Sequence, residues 1–155
     1  MDPRRGPLKF LEMINQIKLM GKYDLYEEDY FYGRGKFGYF GYRHRLKGAI
    51  QRHYLNILKW ANRRSPWNVL EGNGKSALDI GCAYGFVVEL LRKLGYDAKG
   101  IDLSRHAVRN HKGLMSDLDL IIGDAQELPF RRESFDLITC FETLEHLPNL
   151  RKDKG

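Results

Sequence analysis

Cysteine is scarce in this 155-residue chain: the two present, Cys82 and Cys140, show neither metal-ligand spacing nor a secreted disulfide framework. That excludes a disulfide-stapled scaffold and fits a reducing compartment. Long apolar runs are missing as well, and the N-terminus MDPRRGPLKF lacks the apolar centre of a signal peptide, so a soluble cytoplasmic protein is expected. There is no internal repeat, and no low-complexity tract outside residues 29–45. Apolar and charged fractions are ordinary, and the length suits one domain with a real hydrophobic core. A net charge of +6 admits an anionic partner without requiring one, because a solvated basic face has the same composition.

What is abundant is concentrated. DYFYGRGKFGYFGYRHR, Asp29 to Arg45, holds seven aromatic residues and four glycines among basic residues. Aromatics interleaved with Arg and Gly can stack bases and neutralise phosphates, and RGKFGYFGY comes near the aromatic signature of RNA-recognition sheets. Lys36 between Gly35 and Phe37 breaks that register. The other reading is a loop or lid whose glycines allow tight turns while its aromatics fold back on the domain.

Apolar spacing predicts a helix from Leu8 to Met20, ended by Gly21, and a second from about Tyr42 to Asn62. The second helix carries Leu46, Ile50, Tyr54, Ile57, Leu58 and Ala61 on one face, and Arg43, Arg45, Lys47, Arg52, Lys59, Arg63 and Arg64 elsewhere, with no acid among them. It could lie on an anionic surface or half-bury itself against its own domain. SPWNVLEGNGKS, 65–76, is punctuated by Pro and Gly and reads as a linker. Strand-like runs then follow at 76–80, 97–102, 118–122 and 135–140, with helical signals between the first three. Val87, Leu90, Leu91 and Leu94 form one apolar stripe closed by Gly95, and Ser104 is a good N-cap for a helix to about His111. Strands alternating with helices argue an α/β fold with a parallel sheet and right-handed crossovers. The expected layout is a helical and aromatic-glycine lid segment at 1–64, a linker at 65–75, and an α/β core at 76–155, within one structural domain.

LDIGCAYGF places Gly81, Ala83 and Gly85 at alternate positions between a strand and a helix. Small residues there let a ligand approach the backbone, and the helix N-terminus favours an anionic group. A dinucleotide fingerprint needs glycine at 86, where Phe86 stands, which argues against a nicotinamide oxidoreductase.

The same run resembles the first motif of the class I S-adenosylmethionine-dependent methyltransferases, with Ala83 in place of the usual middle glycine. GIDLS ends the second strand with Asp102, 21 residues beyond Gly81. GDAQELPF follows the third strand, and FDLITCFETLEHLPN is similar to the fourth strand and following helix of the ubiquinone/menaquinone-biosynthesis-like branch, type 11. The resemblance covers about Ser76 to Asn149 and implies a Rossmann-like doubly wound sheet that binds S-adenosylmethionine. It implies that Asp79, Gly81, Cys82, Ala83 and Gly85 surround the methionine part, that Asp102, with Leu103 beside it, accepts from the ribose hydroxyls, and that Asp124 and Ala125 meet the adenine. Cys140, like Cys82, lines the pocket near a strand tip. Standing alone, Asp102 could be only a helix N-terminal acid and Asp124 only a turn former.

The expected activity is in-line methyl transfer to a small-molecule, lipid or sugar-like acceptor. Alternatives are a non-catalytic cofactor-binding or interaction fragment and an RNA-directed methyltransferase. His146 is the candidate base for an acceptor that must lose a proton, or else a helix residue bonded to the backbone. Glu142, Glu145 and His146 share one face if the segment is α-helical, and could then hold a divalent metal. The family sheet has seven strands, and this chain stops after the helix that follows strand four. The expectation is a truncated chain, or a piece of a longer one, whose exposed fourth strand is covered by a homodimer partner or another segment. By the same resemblance the aromatic-glycine stretch becomes a lid, with Tyr30, Phe31, Tyr39 or Tyr42 touching cofactor or acceptor and Arg43 reaching the methionine carboxylate.

Overall fold

The computed structural model describes residues 47–111 and 117–147. The expected helix at 8–20 and the stretch from Asp29 to Arg45 lie outside the described residues. Helix α1, Lys47–Asn62, begins the described chain. Leu58 is buried on it, and Ile50, Tyr54 and Leu55 pack partly buried against the core, so the apolar stripe docks as its spacing requires.

Four strands and two further helices follow: β1 (Ser76–Ile80), α2 (Phe86–Lys93), β2 (Asp97–Asp102), α3 (Arg105–Asn110), β3 (Asp119–Ile122) and β4 (Leu137–Thr139). The sheet runs β3-β2-β1-β4, and every pairing is parallel. This is the doubly wound, Rossmann-like α/β arrangement that the alternation of elements implies. Ala77, Leu78, Ala98 and Ile101 are almost solvent-free, as expected for strands covered on both faces. Above them α2 buries Phe86, Val87, Val88, Leu90 and Leu91.

The first two strands coincide with their expected bounds, whereas β3 begins one residue later and β4 is shorter at both ends. β4 forms one edge of the four-stranded sheet, and its central Ile138 is 55% exposed. α3 starts where Ser104 was expected to cap it, the Ser104 side chain accepting from the Ala107 N–H at 3.0 Å.

Residues 63–75 are tied down along their length. The Val69 N–H donates to Asn62 Oδ1 at 2.7 Å, the Tyr96 hydroxyl to the Val69 carbonyl at 3.1 Å, and the Gly72 N–H to the Leu94 carbonyl at 2.7 Å. This connection follows the α2–β2 turn closely. The first turn of α1 is fastened to α2 as well: Lys47 Nζ reaches Glu89 Oε1 at 2.7 Å, and Gln51 Nε2 donates to the Phe86 carbonyl at 2.9 Å and to Glu89 Oε2 at 2.5 Å. Burial of Glu89 opposes its ionisation, but Lys47, Gln51 and Lys93 outweigh that and hold its carboxyl below the usual carboxylate value.

Candidate functional site

Four parallel strands point their C-terminal ends at one rim, and the loops leaving β1, β2, β3 and β4 converge there. The loop from Gly81 to Gly85 turns sharply between β1 and α2. The Gly81 and Cys82 N–H groups both donate to the Ile101 carbonyl, at 2.8 and 3.2 Å, which fastens the loop to β2. Gly81 has φ +76°, and a Cβ there would run into the Thr143 side chain. Only glycine satisfies both constraints. Ala83 holds φ 46° despite its side chain, a strained conformation of the kind that gathers around ligand sites.

Asp102, at the end of β2, is the hinge of the arrangement. Its Oδ2 accepts from the Ala83 N–H at 2.7 Å and its Oδ1 from the Ser104 N–H at 2.7 Å. One carboxylate therefore joins the glycine loop to the start of α3. Burial raises its pKa, and the N–H groups of Ser104, Ala83 and Leu103 counter part of that rise. A carboxylate oxygen accepts more than one hydrogen bond, so each oxygen retains capacity for a hydroxyl donor.

Asp79 differs. It sits within β1 at 3% exposure, and the Thr139 hydroxyl of neighbouring β4 donates to its Oδ1 at 2.7 Å. Burial pushes its carboxyl up to about 7, Thr139 opposing and the Asp102 charge adding to the rise. The two thiols follow β1 and β4, which are adjacent strands, and both cysteines are free. Burial, reinforced by Asp102 and Asp79, lifts the Cys82 thiol well above its ordinary range; burial and then Asp79 lift Cys140. Neither is poised as a thiolate nucleophile.

Asp124 follows β3 in a tight turn, its Oδ1 accepting from the Gln126 N–H at 2.9 Å, with Ala125 half-buried beside it. The turn-forming geometry is thus present at the rim position.

The segment after β4 departs from the expected helix. Glu142 has φ 51°, and only Leu144–His146 forms a single 3-10 turn. Glu142, Glu145 and His146 therefore do not share an α-helical face, and all three are exposed. Among the described residues no three His, Cys, Asp or Glu side chains come together to hold a metal ion. The segment is instead latched by residues that periodicity did not single out. Phe141 stacks on Tyr54 of α1 at 4.6 Å, and the Thr143 hydroxyl lies 3.0 Å from the Phe141 carbonyl and 3.3 Å from that of Ile80. Thr139 and Thr143 resemble ordinary strand and turn residues in the sequence, and no spacing signal marks them. Tyr39, Tyr42 and Arg43, like Tyr30 and Phe31, lie outside the described residues.

A glycine loop after β1, held by an acid at the end of β2 and flanked by an acid after β3, invites comparison with known proteins. Residues 78–152 match the family described as methyltransferase domain, type 11. Over those residues the chain is similar to that family. The ubiquinone biosynthesis O-methyltransferase of Ralstonia nicotianae is 40% identical over 106 residues, covering 63% of this chain and 42% of the relative. That of Paraburkholderia phymatum is 44% identical over 107 residues, covering 64% of this chain and 44% of the relative. This chain thus spans less than half the length of these curated relatives. Among solved structures, an S-adenosylmethionine dependent methyltransferase from Mesorhizobium loti is 22% identical, covers 54% of this chain and 39% of that one, and superposes with a TM-score of 0.43. The matched stretch begins inside β1 and takes in every rim loop described above.

Proposed function

We propose that the rim binds S-adenosylmethionine and that the protein, acting in the cytoplasm, transfers its methyl group to an oxygen of a small-molecule acceptor. The observation that carries this reading is Asp102, whose two oxygens are each fixed by one backbone N–H with further accepting capacity left. That is what two vicinal ribose hydroxyls require. Gly81, Cys82, Ala83 and Gly85 line the path of the methionine part, with Asp79 beneath them setting the local charge. Leu103 flanks the ribose, Asp124 accepts from the adenine amino group, Ala125 lies beside the ring, and Cys140 closes the wall near β4. Tyr39, Tyr42 and Arg43 cover the site from the segment that precedes α1.

Bound S-adenosylmethionine supplies an activated methyl on a good leaving group. The chain's own residues then have to orient the acceptor, exclude water and take a proton. Oxygen is the acceptor atom named for the two curated relatives, and a hydroxyl reacts well only as its proton departs. His146 is the base assigned to that proton. Its exposure on the turn beyond β4, where an acceptor can reach it, supports the assignment.

A second reading, cofactor binding without turnover, draws on that same exposure of Glu142, Glu145 and His146. Single-turnover assays against phenolic and catecholic acceptors separate the two. The first reading expects methyl transfer, and a fall in rate for His146→Ala of roughly a hundredfold or more with unchanged cofactor affinity. Cofactor binding with no transfer to any such acceptor would leave the second.

A further inference from the structure

The basic side of α1 has no part in the rim. From residue 30 to residue 70 the chain contains no acidic residue. Arg52, Lys59 and Arg63 are exposed there. The chain's two tryptophans lie on the same stretch, Trp60 at 53% and Trp67 at 58% exposure. Large apolar rings exposed among cations, with Glu71 the nearest acid in sequence, form a surface suited to a partner that is both negatively charged and able to accept an indole.

We propose that the exposed face of α1 and the turn after it dock on an anionic lipid bilayer, Trp60 and Trp67 entering the headgroup region while Arg52, Lys59 and Arg63 meet the lipid phosphates. The opposite face of α1 is locked to the core through Leu58, Tyr54 and Leu55, so the basic face is held in place before any partner arrives. Indole rings are favoured at the membrane interface, where an apolar body and a polar N–H each find a suitable medium. Each Lys or Arg near such a surface strengthens partitioning by roughly fivefold at moderate ionic strength. Nucleic acid shares the charge but would stack bases on ring faces, and the Arg64 guanidinium already covers one face of Trp60 at 4.1 Å from the ring centroid. The docking end lies about 20 Å along the helix axis from Lys47, the residue paired with Glu89 of α2, by the rise per residue of an α-helix. The surface stands whether or not the rim binds S-adenosylmethionine.

Because both tryptophans of the chain belong to this surface, their fluorescence reports on it alone. The test titrates the full chain with vesicles of mixed phosphatidylglycerol and phosphatidylcholine, with pure phosphatidylcholine vesicles, and with single-stranded and duplex RNA at the same ionic strength. The expected result is a blue shift of emission and quenching by brominated acyl chains on the anionic vesicles only, weakening as salt rises. Lys59→Glu combined with Arg63→Glu should weaken this binding by at least roughly tenfold, from the per-residue contribution above, with an unchanged circular dichroism spectrum. Unchanged wild-type emission on anionic vesicles at low salt would overturn the proposal, as would an equal response to neutral vesicles. Tighter binding to RNA than to the anionic vesicles would overturn it too and assign the face to nucleic acid.

Discussion

The two halves of the rim are built differently. Around β1 and β2 the key groups have defined places: Asp102 is held by two N–H groups, the glycine loop is fastened to Ile101, and Leu78 and Ile101 are only 1% exposed. Around β4 the strand is three residues long, Ile138 faces outward, and Glu142, Leu144, Glu145 and His146 are exposed between the latches at Phe141 and Thr143 and the half-buried Leu147. The half proposed to hold the cofactor is thus preorganised, while the half proposed for the acceptor rests on a few contacts. A rigid half suits an invariant ligand, and a lightly held half suits a part of the molecule that other segments complete.

That contrast is sharpest in the core. Leu78→Ala on β1 should destabilise the protein by about 2–5 kcal/mol, read from urea unfolding, because the cavity opens in a fully packed layer. Ile138→Lys on β4 should change stability by less than about 0.5 kcal/mol, and a large loss there would show that the edge is covered after all.

Asp79 provides the next largest effect. Its folded pKa of about 7 lies above the 3.8 of an unperturbed aspartate, so the folded state holds a proton that the unfolded state has released between those values. Stability therefore falls as pH rises from about 4 to about 7, by at most about 4 kcal/mol from this group, and stays low above that. Asp79→Asn should unfold at higher urea than wild type at pH 8 and close to wild type at pH 4. Equal midpoints at both pH values would remove the buried carboxyl from the account. Smaller still, Thr139→Val deletes the hydroxyl that favours the ionised form and should cost about 1–2 kcal/mol at pH 8, with less effect at pH 5.

Much of this was legible in the sequence, and the reasons are specific. β1 and β2 lie in the chain as SALDI and DAKGID because central parallel strands are apolar runs with clear punctuation. Ser104 announced the start of α3, and the stripe from Val87 to Leu94 announced α2. The segment after β4 was not legible, because the helical spacing of Glu142, Glu145 and His146 has meaning only if the backbone is helical. The left-handed conformation of Glu142 interrupts it, and nothing in the residue type signals that. Thr139 and Thr143 escaped for another reason. Their importance comes from pairing β4 against β1 and from the space above Gly81, which are tertiary facts.

The central claim is that Asp102 anchors S-adenosylmethionine on the preorganised half of the rim. Calorimetric titration of the wild-type chain and of Asp102→Ala with S-adenosylmethionine tests it directly. The account predicts one-to-one binding by the wild type and a loss of at least roughly tenfold in affinity for the variant, since two charge-assisted hydrogen bonds go with the carboxylate. No heat of binding in a folded wild-type chain, or equal affinity in a folded Asp102→Ala, would contradict it.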